Sequence, residues 1–338
     1  MNANAFVSFV NNLIETTGAD PSQVLFSGDH LGPRVWKSEN ASAATMKARV
    51  LVAEYIQPGI RKVHLDCSEG CAGEPAQVDD VTAAARAADL ALACQDATQN
   101  PEDLIFVIGT EVPPPGGVRL GEDGHISATT PESATATLQA HQEAFAQRDI
   151  SDLWALVSGL VVQPGVKFGP TEVYNLPLNR DAELRGALGQ PSRICLEANS
   201  TDYQTPEAFS QLANLSFAFQ KVGPALTFAW LKALYALSYI LYILRSYASG
   251  LPEVMQYAMN DNPKHWTTHY PDNDKWQWHF SYADRIRYYW QVQKVQAAVH
   301  KLFLKIDALN PPEHTFAKYL NPKHWPVRKF WDLRVRFP

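Results

Sequence analysis

The sequence predicts an α/β fold: a TIM-barrel-like (β/α) arrangement with a mostly helical, aromatic-rich C-terminal appendage. Three observations support this prediction. Short apolar runs alternate with Ala-rich helical stretches, as they do in βαβ units. The runs are nearly continuous in apolar residues, which is typical of parallel strands covered on both faces. Polar residues follow each run, where (β/α) barrels place their functional groups.

Six strand–helix units can be read along the chain, and the apolar runs predict strands at residues 25–26, 62–65, 104–108, 156–162, 194–196 and 217–219. Helices are predicted over residues 42–55, 78–97 and 132–148, with one further helix before Val24. Thr130 and Thr205 predict helix starts, because each is followed by Pro and then Glu. A closed barrel needs eight units.

The pattern changes after residue 250. Residues 1–250 are predicted to form the barrel-like domain, and residues 251–338 a helical or irregular extension packed on it, with its clearest helix over 284–302. Residues 224–244 are long enough to span a bilayer. Lys232 near their middle would be costly there, and their aromatics are not collected at the two ends. We therefore expect a buried amphipathic helix.

Composition excludes several classes of protein. A net charge of −6 gives no reason to expect a nucleic acid or an anionic membrane as partner. Four cysteines in 338 residues do not make a disulfide framework, and the N-terminus lacks the features of a signal peptide. These observations predict a cytoplasmic protein. The chain has no GxGxxG or P-loop motif, which argues against a nucleotide-binding domain.

Polar side chains at the predicted strand ends form the candidate site: Asp29, His30, Asp66, Glu111, Gln163, Glu197, Asn199 and Asp202. On a barrel they would meet at one mouth. Carboxylates with an imidazole suit a divalent metal and proton transfer, and a metal makes a hydroxy-ketone more acidic. This is the chemistry of sugar aldolases, isomerases and epimerases.

Ordinary structural roles compete with these assignments. Asp66 and Asp202 are equally well explained as helix N-caps, whereas Asp29, His30 and Glu111 are better explained as a site. His64 lies inside an apolar run and is predicted to be a packed strand residue. The Gly116-Gly117 loop and the turn at residues 221–224 are the candidate phosphate-binding turns.

Seven segments, in chain order, closely resemble the GatZ/KbaZ family: GDHLGP, HLDCS, VIGTEVPPPGG, VVQPGV, EANSTDYQT, KVGPALTFA and DRIRYYW. This family comprises accessory, non-catalytic subunits of class II D-tagatose-1,6-bisphosphate aldolase. The resemblance implies a TIM-barrel-like fold and a subunit that supports the activity and stability of the catalytic subunit in galactitol, galactose or N-acetylgalactosamine catabolism. The alternative that it implies is a metal-dependent ketohexose (tagatose or fructose) 4-epimerase or aldolase, acting through an enediolate or retro-aldol step.

The resemblance also assigns roles to residues. It makes Asp29 the proton-transfer carboxylate, with Glu111 the next candidate, and His30 a ligand of Zn, Mn or Co. It places the remaining ligands at Gln163 and Asn199. Glu197, from the strand-end pattern, is a further candidate ligand, and the candidate substrate-binding residues are Asp66, Ser200, Asp202, Lys221 and Gly223. Asn199 stands where the family pattern has His, and an amide replaces an imidazole poorly for zinc. We therefore expect a weakened zinc site.

The resemblance further implies that the chain lacks the first two βα units of the family pattern. Two sheet edges would then be open, and open edges invite pairing with another chain. The expected partners are the catalytic aldolase subunit, a sugar or sugar phosphate, and further copies in an oligomer, but neither nucleic acid nor membrane.

Overall fold

The computed structural model describes residues 2–109, 128–179, 183–189, 192–245, 249–271 and 274–319. The chain divides into two compact units. The first contains the described residues of Met1–Pro113, His125–Lys167 and Tyr174–Lys221, and the second those of Phe168–Val173 and Val222–Pro338. The sequence places a boundary after residue 250, whereas the helix Pro224–Arg245 already belongs to the second unit.

Helices and strands alternate along the first part of the chain. The helices are α1 (Ala3–Thr17), α2 (Ala41–Ile56), α3 (Asp80–Asp96), α4 (Pro131–Gln147), α5 (Glu183–Ala187) and α6 (Pro206–Asn214). The strands are β1 (Ser27–Leu31), β2 (Lys62–Leu65), β3 (Ile105–Ile108), β4 (Val157–Val162), β5 (Lys167–Phe168), β6 (Val173–Tyr174), β7 (Cys195–Ala198) and β8 (Phe217–Gln220).

One six-stranded sheet, with the order β1-β2-β3-β4-β7-β8, organises the first unit. Every neighbouring pair in it is parallel. Parallel strands in chain order, joined by helices, are the pattern of a (β/α) barrel wall. The predicted α/β class and five of the six predicted strands are confirmed, the first strand is displaced, and β5 and β6 form a separate two-stranded sheet.

The core of this unit lies between the sheet and its helices. Central strand residues such as Val63, Phe106, Leu160 and Leu196 are fully buried, as expected for strands covered on both faces. The predicted starts of α4 and α6 are confirmed, because the side chains of Thr130 and Thr205 accept hydrogen bonds from backbone N–H groups in the first turn.

The position of β1 differs from the prediction. The apolar residues before it lie largely at the surface, since Val24 is 37% and Leu25 is 52% exposed. The strand instead begins at Ser27 and runs through Leu31, so Asp29 and His30 lie within it and do not follow it. Apolar character alone therefore misplaced this strand.

The second unit is mainly helical where it is described. Its helices are α7 (Pro224–Arg245), α8 (Leu251–Asp261), α9 (Gln277–Phe280), α10 (Gln293–Leu309) and α11 (His314–Ala317). Its core is rich in aromatic residues, including Trp266, Tyr270, Trp278 and Tyr289. The prediction of a helix over residues 284–302 was wrong at its start. Asp284 adopts a left-handed backbone conformation that an α-helix cannot continue, a short 3₁₀ turn follows, and α10 begins only at Gln293.

Helix α7 is long and apolar enough, by length and composition, to cross a membrane. Of its most apolar 18-residue window, 28% is buried inside the protein. Lys232 is exposed, and Leu231 and Leu234 are buried in the core of the second unit.

Candidate active site

Asp29 and His30 lie in an irregular stretch of β1. The pairing register with β2 shifts between Gly28 and Leu31, so that β1 carries one more residue than its neighbour there. A bulge of this kind bends a strand and redirects its side chains. His30 has φ 52, in the left-handed region that few residues other than glycine adopt. The irregularity allows two consecutive side chains to approach His64 on β2.

These three side chains form a compact group. The His64 Nδ1 atom lies 2.8 Å from Asp29 Oδ1, and His30 Nε2 lies 3.4 Å from Asp29 Oδ2. The two imidazole ring centroids are 5.3 Å apart. Potential metal-ligating atoms of all three residues lie within 4.8 Å of one another. The group therefore combines a carboxylate and two imidazoles at one point of the sheet.

Asp66 orients the His30 ring. Its Oδ2 atom lies 2.8 Å from His30 Nδ1, and its Oδ1 atom accepts a hydrogen bond from the Ser68 hydroxyl at 2.9 Å. Burial raises the pKa of Asp66, but the hydrogen bond to His30 and the positive charge of the nearby imidazoles outweigh it and lower the pKa to about 2. Because the ionised Asp66 binds Nδ1 of His30, the Nε2 atom on the Asp29 side can coordinate a metal ion. This arrangement is usual for a metal-binding histidine.

Close approach of the backbone supports this geometry. A side chain on Gly32 would place its Cβ 1.7 Å from the Asp66 carbonyl oxygen, so only glycine fits there. The Asp66 N–H donates to the Leu31 carbonyl at 3.1 Å. The end of β1 and the start of the following loop are thus fixed directly against Asp66.

Lys221 links Asp29 to a second carboxylate. Its Nζ atom lies 2.5 Å from Asp29 Oδ1 and 2.5 Å from Glu197 Oε1. Glu197 is fully buried, and its other oxygen lies 2.7 Å from Nζ of Lys62, which is 6% exposed. Burial raises the pKa of Glu197, but the positive charges of Lys221, His64 and Lys62 lower it below its ordinary value. Glu197 is therefore a carboxylate held between two ammonium groups.

Asp29 is the accessible member of this network, with 38% of its side chain exposed. Partial burial raises its pKa, but the hydrogen bond to His64 and the charges of His64, Lys221 and His30 lower it well below its ordinary value. Asp29 is therefore an ionised carboxylate that a substrate can reach, flanked by two imidazoles.

Asn199 directly follows β7 and is 5% exposed. Among the residues that the structure describes, neither its Oδ1 nor its Nδ2 atom has a hydrogen-bond partner. His64 Nε2 is also buried and has no partner in the same part of the chain. Buried polar atoms without partners are costly and call for an explanation.

The structure places the other predicted site residues individually. The Gln163 side-chain oxygen accepts a hydrogen bond from Gly165 N–H at 2.8 Å and closes its own turn. Asp202 is buried, and Ser200 has a left-handed backbone with φ 55. A Cβ atom added to Gly223 would have no other atom within 4 Å. Glu111 and the Gly116-Gly117 loop lie outside the described residues, and metal ligation by Gln163 and Asn199 stays a prediction.

Two residues of the network escaped the sequence reasoning. His64 is fully buried, as predicted for a packed strand residue, yet it is also part of the three-residue group. Lys62 pairs with Glu197. The run Lys-Val-His-Leu alternates polar and apolar residues, and strand periodicity places Lys62 and His64 on one face. That alternation was the signal that could have identified both.

The group formed by Asp29, His30 and His64 fits a divalent transition metal by its donor chemistry. Imidazole nitrogens and a carboxylate oxygen are ligands for zinc and its first-row neighbours. The unpartnered His64 Nε2 and the His30 ring oriented by Asp66 are further features of such sites. Glu197 is paired with two lysines, and its role as a metal ligand stays a prediction.

Comparisons with known proteins identify relatives over nearly the whole chain. A family model described as "D-tagatose-1,6-bisphosphate aldolase subunit GatZ/KbaZ-like" matches residues 1–331. A D-tagatose 6-phosphate 4-epimerase of Agrobacterium fabrum is 40% identical over 328 residues, which cover 95% of this chain and 77% of the relative.

A solved structure is similar in fold as well as in sequence. It is the crystal structure of a probable tagatose 6 phosphate kinase from Sinorhizobium meliloti, with a TM-score of 0.83 and 37% identity. The match covers 94% of this chain and 79% of that one. These names describe the two relatives, and this chain is similar to both.

Proposed function

We propose a function for this chain on the ground that it belongs to the GatZ/KbaZ-like family of D-tagatose-1,6-bisphosphate aldolase subunits, as its motifs indicated. It is a metal-dependent 4-epimerase of ketohexose phosphates of the tagatose 6-phosphate class. The observation that carries this proposal is the accessible, ionised Asp29 beside His30 and His64. The name of the Agrobacterium relative supports it.

The proposed reaction begins with proton removal by Asp29. The carboxylate takes the proton of the hydroxyl on C4 of the ketose, and the C3–C4 bond breaks as the C4 carbonyl forms. The bonding pair moves to C3 and is delocalised onto the C2 oxygen, which gives an enediolate and an aldehyde. The enediolate then attacks the other face of the aldehyde, and Asp29 returns the proton to the new C4 hydroxyl, so atoms and electrons balance.

The protein supplies charge and orientation for these steps. A divalent cation held by His30 and His64, with Asp29 beside them, would supply the positive charge that stabilises an oxyanion. Lys221 lies 2.5 Å from Asp29 and keeps that carboxylate ionised. One carboxylate oxygen of Glu197 holds Lys221 in place, and its other oxygen pairs with Lys62. Asp66 holds the His30 ring in one orientation.

The test is turnover of D-tagatose 6-phosphate by the purified chain alone, with Zn²⁺, Mn²⁺ or Co²⁺ added. The expected product is its C4 epimer, D-fructose 6-phosphate. Asp29→Asn should lower kcat/KM by about a hundredfold or more, since general acid–base groups contribute roughly 10²–10⁴. Asp96→Asn, at an exposed carboxyl of α3, is the matched control and should leave kcat/KM unchanged.

The second candidate is the non-catalytic accessory subunit, which is favoured by the description of the family as an aldolase subunit. In that case the chain alone would show no interconversion with any of the three metals. Its addition to a class II tagatose-bisphosphate aldolase catalytic subunit would raise that subunit's activity or thermal lifetime. For either function we propose a cytoplasmic location, with which the four free cysteines agree.

A further inference from the structure

Two layers of side chains line one face of the parallel sheet. The lower layer contains Lys62 of β2, Glu197 of β7 and Phe219 of β8: the Lys62 Nζ atom lies 2.7 Å from Glu197 Oε2 and 4.4 Å from the centre of the Phe219 ring. Residues two apart on a strand lie on the same face. Because the strands are parallel, the residue two positions further along each strand belongs to the next layer on the same face.

The upper layer therefore contains His64, Asn199 and Lys221. Leu196 and Ala198 pack in the hydrophobic core, so the alternation along β7 directs Glu197 and then Asn199 to the opposite face. Lys221 Nζ lies 3.3 Å from His64 Nδ1, so the side chain that directly follows β8 meets a side chain of β2 in this layer.

The backbone around Asn199 is tightly held. Lys221 N–H donates to the Ala198 carbonyl at 2.9 Å, and the Lys221 carbonyl accepts hydrogen bonds from both the N–H and the hydroxyl of Thr201. Ser200 completes the turn in a left-handed conformation. These bonds fix the position of Asn199 without using its side chain.

The charged groups of the two layers lie in ion pairs: Lys62 and Lys221 are paired with Glu197 and Asp29. In contrast, both side-chain atoms of the neutral Asn199 amide are buried with no hydrogen-bond partner among the described residues. A metal cation could bind only the accepting Oδ1 atom of the Asn199 amide, and a phosphate could bind only the donating Nδ2 atom. A hydroxyl both donates and accepts, so it matches the two free atoms of one amide.

We propose that Asn199 is a substrate-binding residue that binds one hydroxyl of the sugar through both its Oδ1 and Nδ2 atoms. This inference rests on the proposed function and deepens it, because it makes the substrate a polyhydroxylated chain recognised at one particular hydroxyl. A site built to bond a hydroxyl discriminates strongly against an analogue that lacks it.

The test measures binding and folding separately. Calorimetry gives the Kd of D-tagatose 6-phosphate and of its 3-deoxy and 4-deoxy analogues for the wild type, Asn199→Leu and Asn199→Ala. Both variants should weaken binding of the parent sugar about tenfold or more. For one of the two deoxy analogues they should make little further difference, because the bond is already absent, and this non-additivity reports a direct contact.

The melting temperature distinguishes a binding role from a structural one. The Asn199 side chain has no hydrogen-bond partner within the described part of the chain, so Asn199→Leu should not lower the melting temperature. Asn12→Leu, at an exposed position of α1, is the control and should not lower it either. A lowered melting temperature of both Asn199 variants, equal weakening of all three sugars, or no binding by the wild type would each overturn the proposal. Binding with the expected pattern but without interconversion would leave Asn199 as a sugar-binding residue and reject the epimerase function.

Discussion

The first unit buries Glu197 between the ammonium groups of Lys62 and Lys221, whereas the second unit buries Asp284 against the hydroxyl of Thr227. Both carboxyls lose contact with water, and burial raises the pKa of each. In Glu197 the neighbouring positive charges reverse this effect and lower the pKa. In Asp284 burial prevails and raises the pKa to about 7. The comparison shows that the partners of a buried carboxyl decide whether it is charged.

The position of Arg287 explains why its positive charge offsets the effect of burial on the pKa of Asp284 only weakly. Arg287 Nη1 donates to the backbone carbonyls of Ala283 at 2.6 Å and Asp284 at 3.1 Å. Its other terminal nitrogen donates to the Tyr288 hydroxyl at 3.0 Å, and the Asp284 Oδ1 atom is buried without a partner among the described residues. Burial without a charged partner on the carboxyl thus raises the pKa of Asp284 to about 7, whereas the lysines beside Glu197 lower the pKa of that carboxyl.

The largest effect is expected from Glu197→Gln. This change removes the negative charge that pairs with both Lys62 and Lys221, and it leaves the two ammonium groups near each other without it. Removing one partner of a buried ion pair costs about 3–5 kcal/mol. Urea denaturation at neutral pH should show this loss, and kcat/KM should fall as well because Lys221 is no longer held against Asp29.

Glu15→Gln is the matched control, because Glu15 is an exposed carboxylate of α1. Its effect should stay within about 0.5 kcal/mol, as for most surface substitutions. A loss for Glu197→Gln as small as that of the control would mean that the paired charges of the sheet face do not differ from surface charges, and the comparison would fail.

The contrast also shows what the sequence could reveal. The parallel sheet was predictable because covered strands are written as short apolar runs, such as the one that contains Phe106. Asp29 and His30 were identified from their position after such a run, although the strand is displaced. That displacement could not be predicted, because a bulge depends on how β1 pairs with β2.

Partners distant in sequence were the other limit. Lys62 and Glu197 are 135 residues apart, and no local pattern joins them. His64 looked like a core residue because its neighbours are apolar, and burial did not rule out a role in the site. Asp284 appeared to be the first residue of a helix, since its left-handed backbone leaves no trace in the spacing of apolar residues.

Asp284→Asn should change how stability depends on pH. The folded pKa of about 7 lies above the ordinary value of 3.8, so between these values the folded protein holds a proton that the unfolded chain releases. Stability of the wild type therefore falls as pH rises through this window, by about 1.4 kcal/mol per pH unit from this group. Between pH 4.5 and 6.5 the variant should gain about 2.7 kcal/mol relative to the wild type.

Asparagine suits this test because it tolerates the left-handed backbone of residue 284. Denaturant midpoints at four or five pH values measure the difference. A constant difference between the two proteins across this range would show that Asp284 does not titrate there.

Asp66→Asn tests the opposite sign in the first unit. The pKa of Asp66 is lowered to about 2, so its contribution to stability is complete above the ordinary value of 3.8 and is lost as pH falls through the folded value. The variant should be less stable than the wild type by about 2 kcal/mol at pH 6, and the two should converge near pH 2. Denaturation in the presence of a chelator measures this.

The same variant tests the metal role of His30. Without Asp66 the His30 ring loses its orienting partner, and metal affinity should fall about ten- to a hundredfold. Competition with a chromogenic chelator gives this affinity. Unchanged metal binding in Asp66→Asn would remove His30 from the ligand set while leaving the pH prediction intact.

The smallest effect is expected from Thr227→Val, which removes the hydroxyl that lies against both Asp284 Oδ2 and the Pro224 carbonyl. Above pH 8 Asp284 is charged and needs this donor, so the variant should lose about 1 kcal/mol there and less at pH 5. Thr227→Ser keeps the hydroxyl and should keep most of the stability. In the Asp284→Asn background the loss should no longer depend on pH, because the titrating partner is gone. A loss that is equal at both pH values with Asp284 in place would assign the hydroxyl to Pro224 alone.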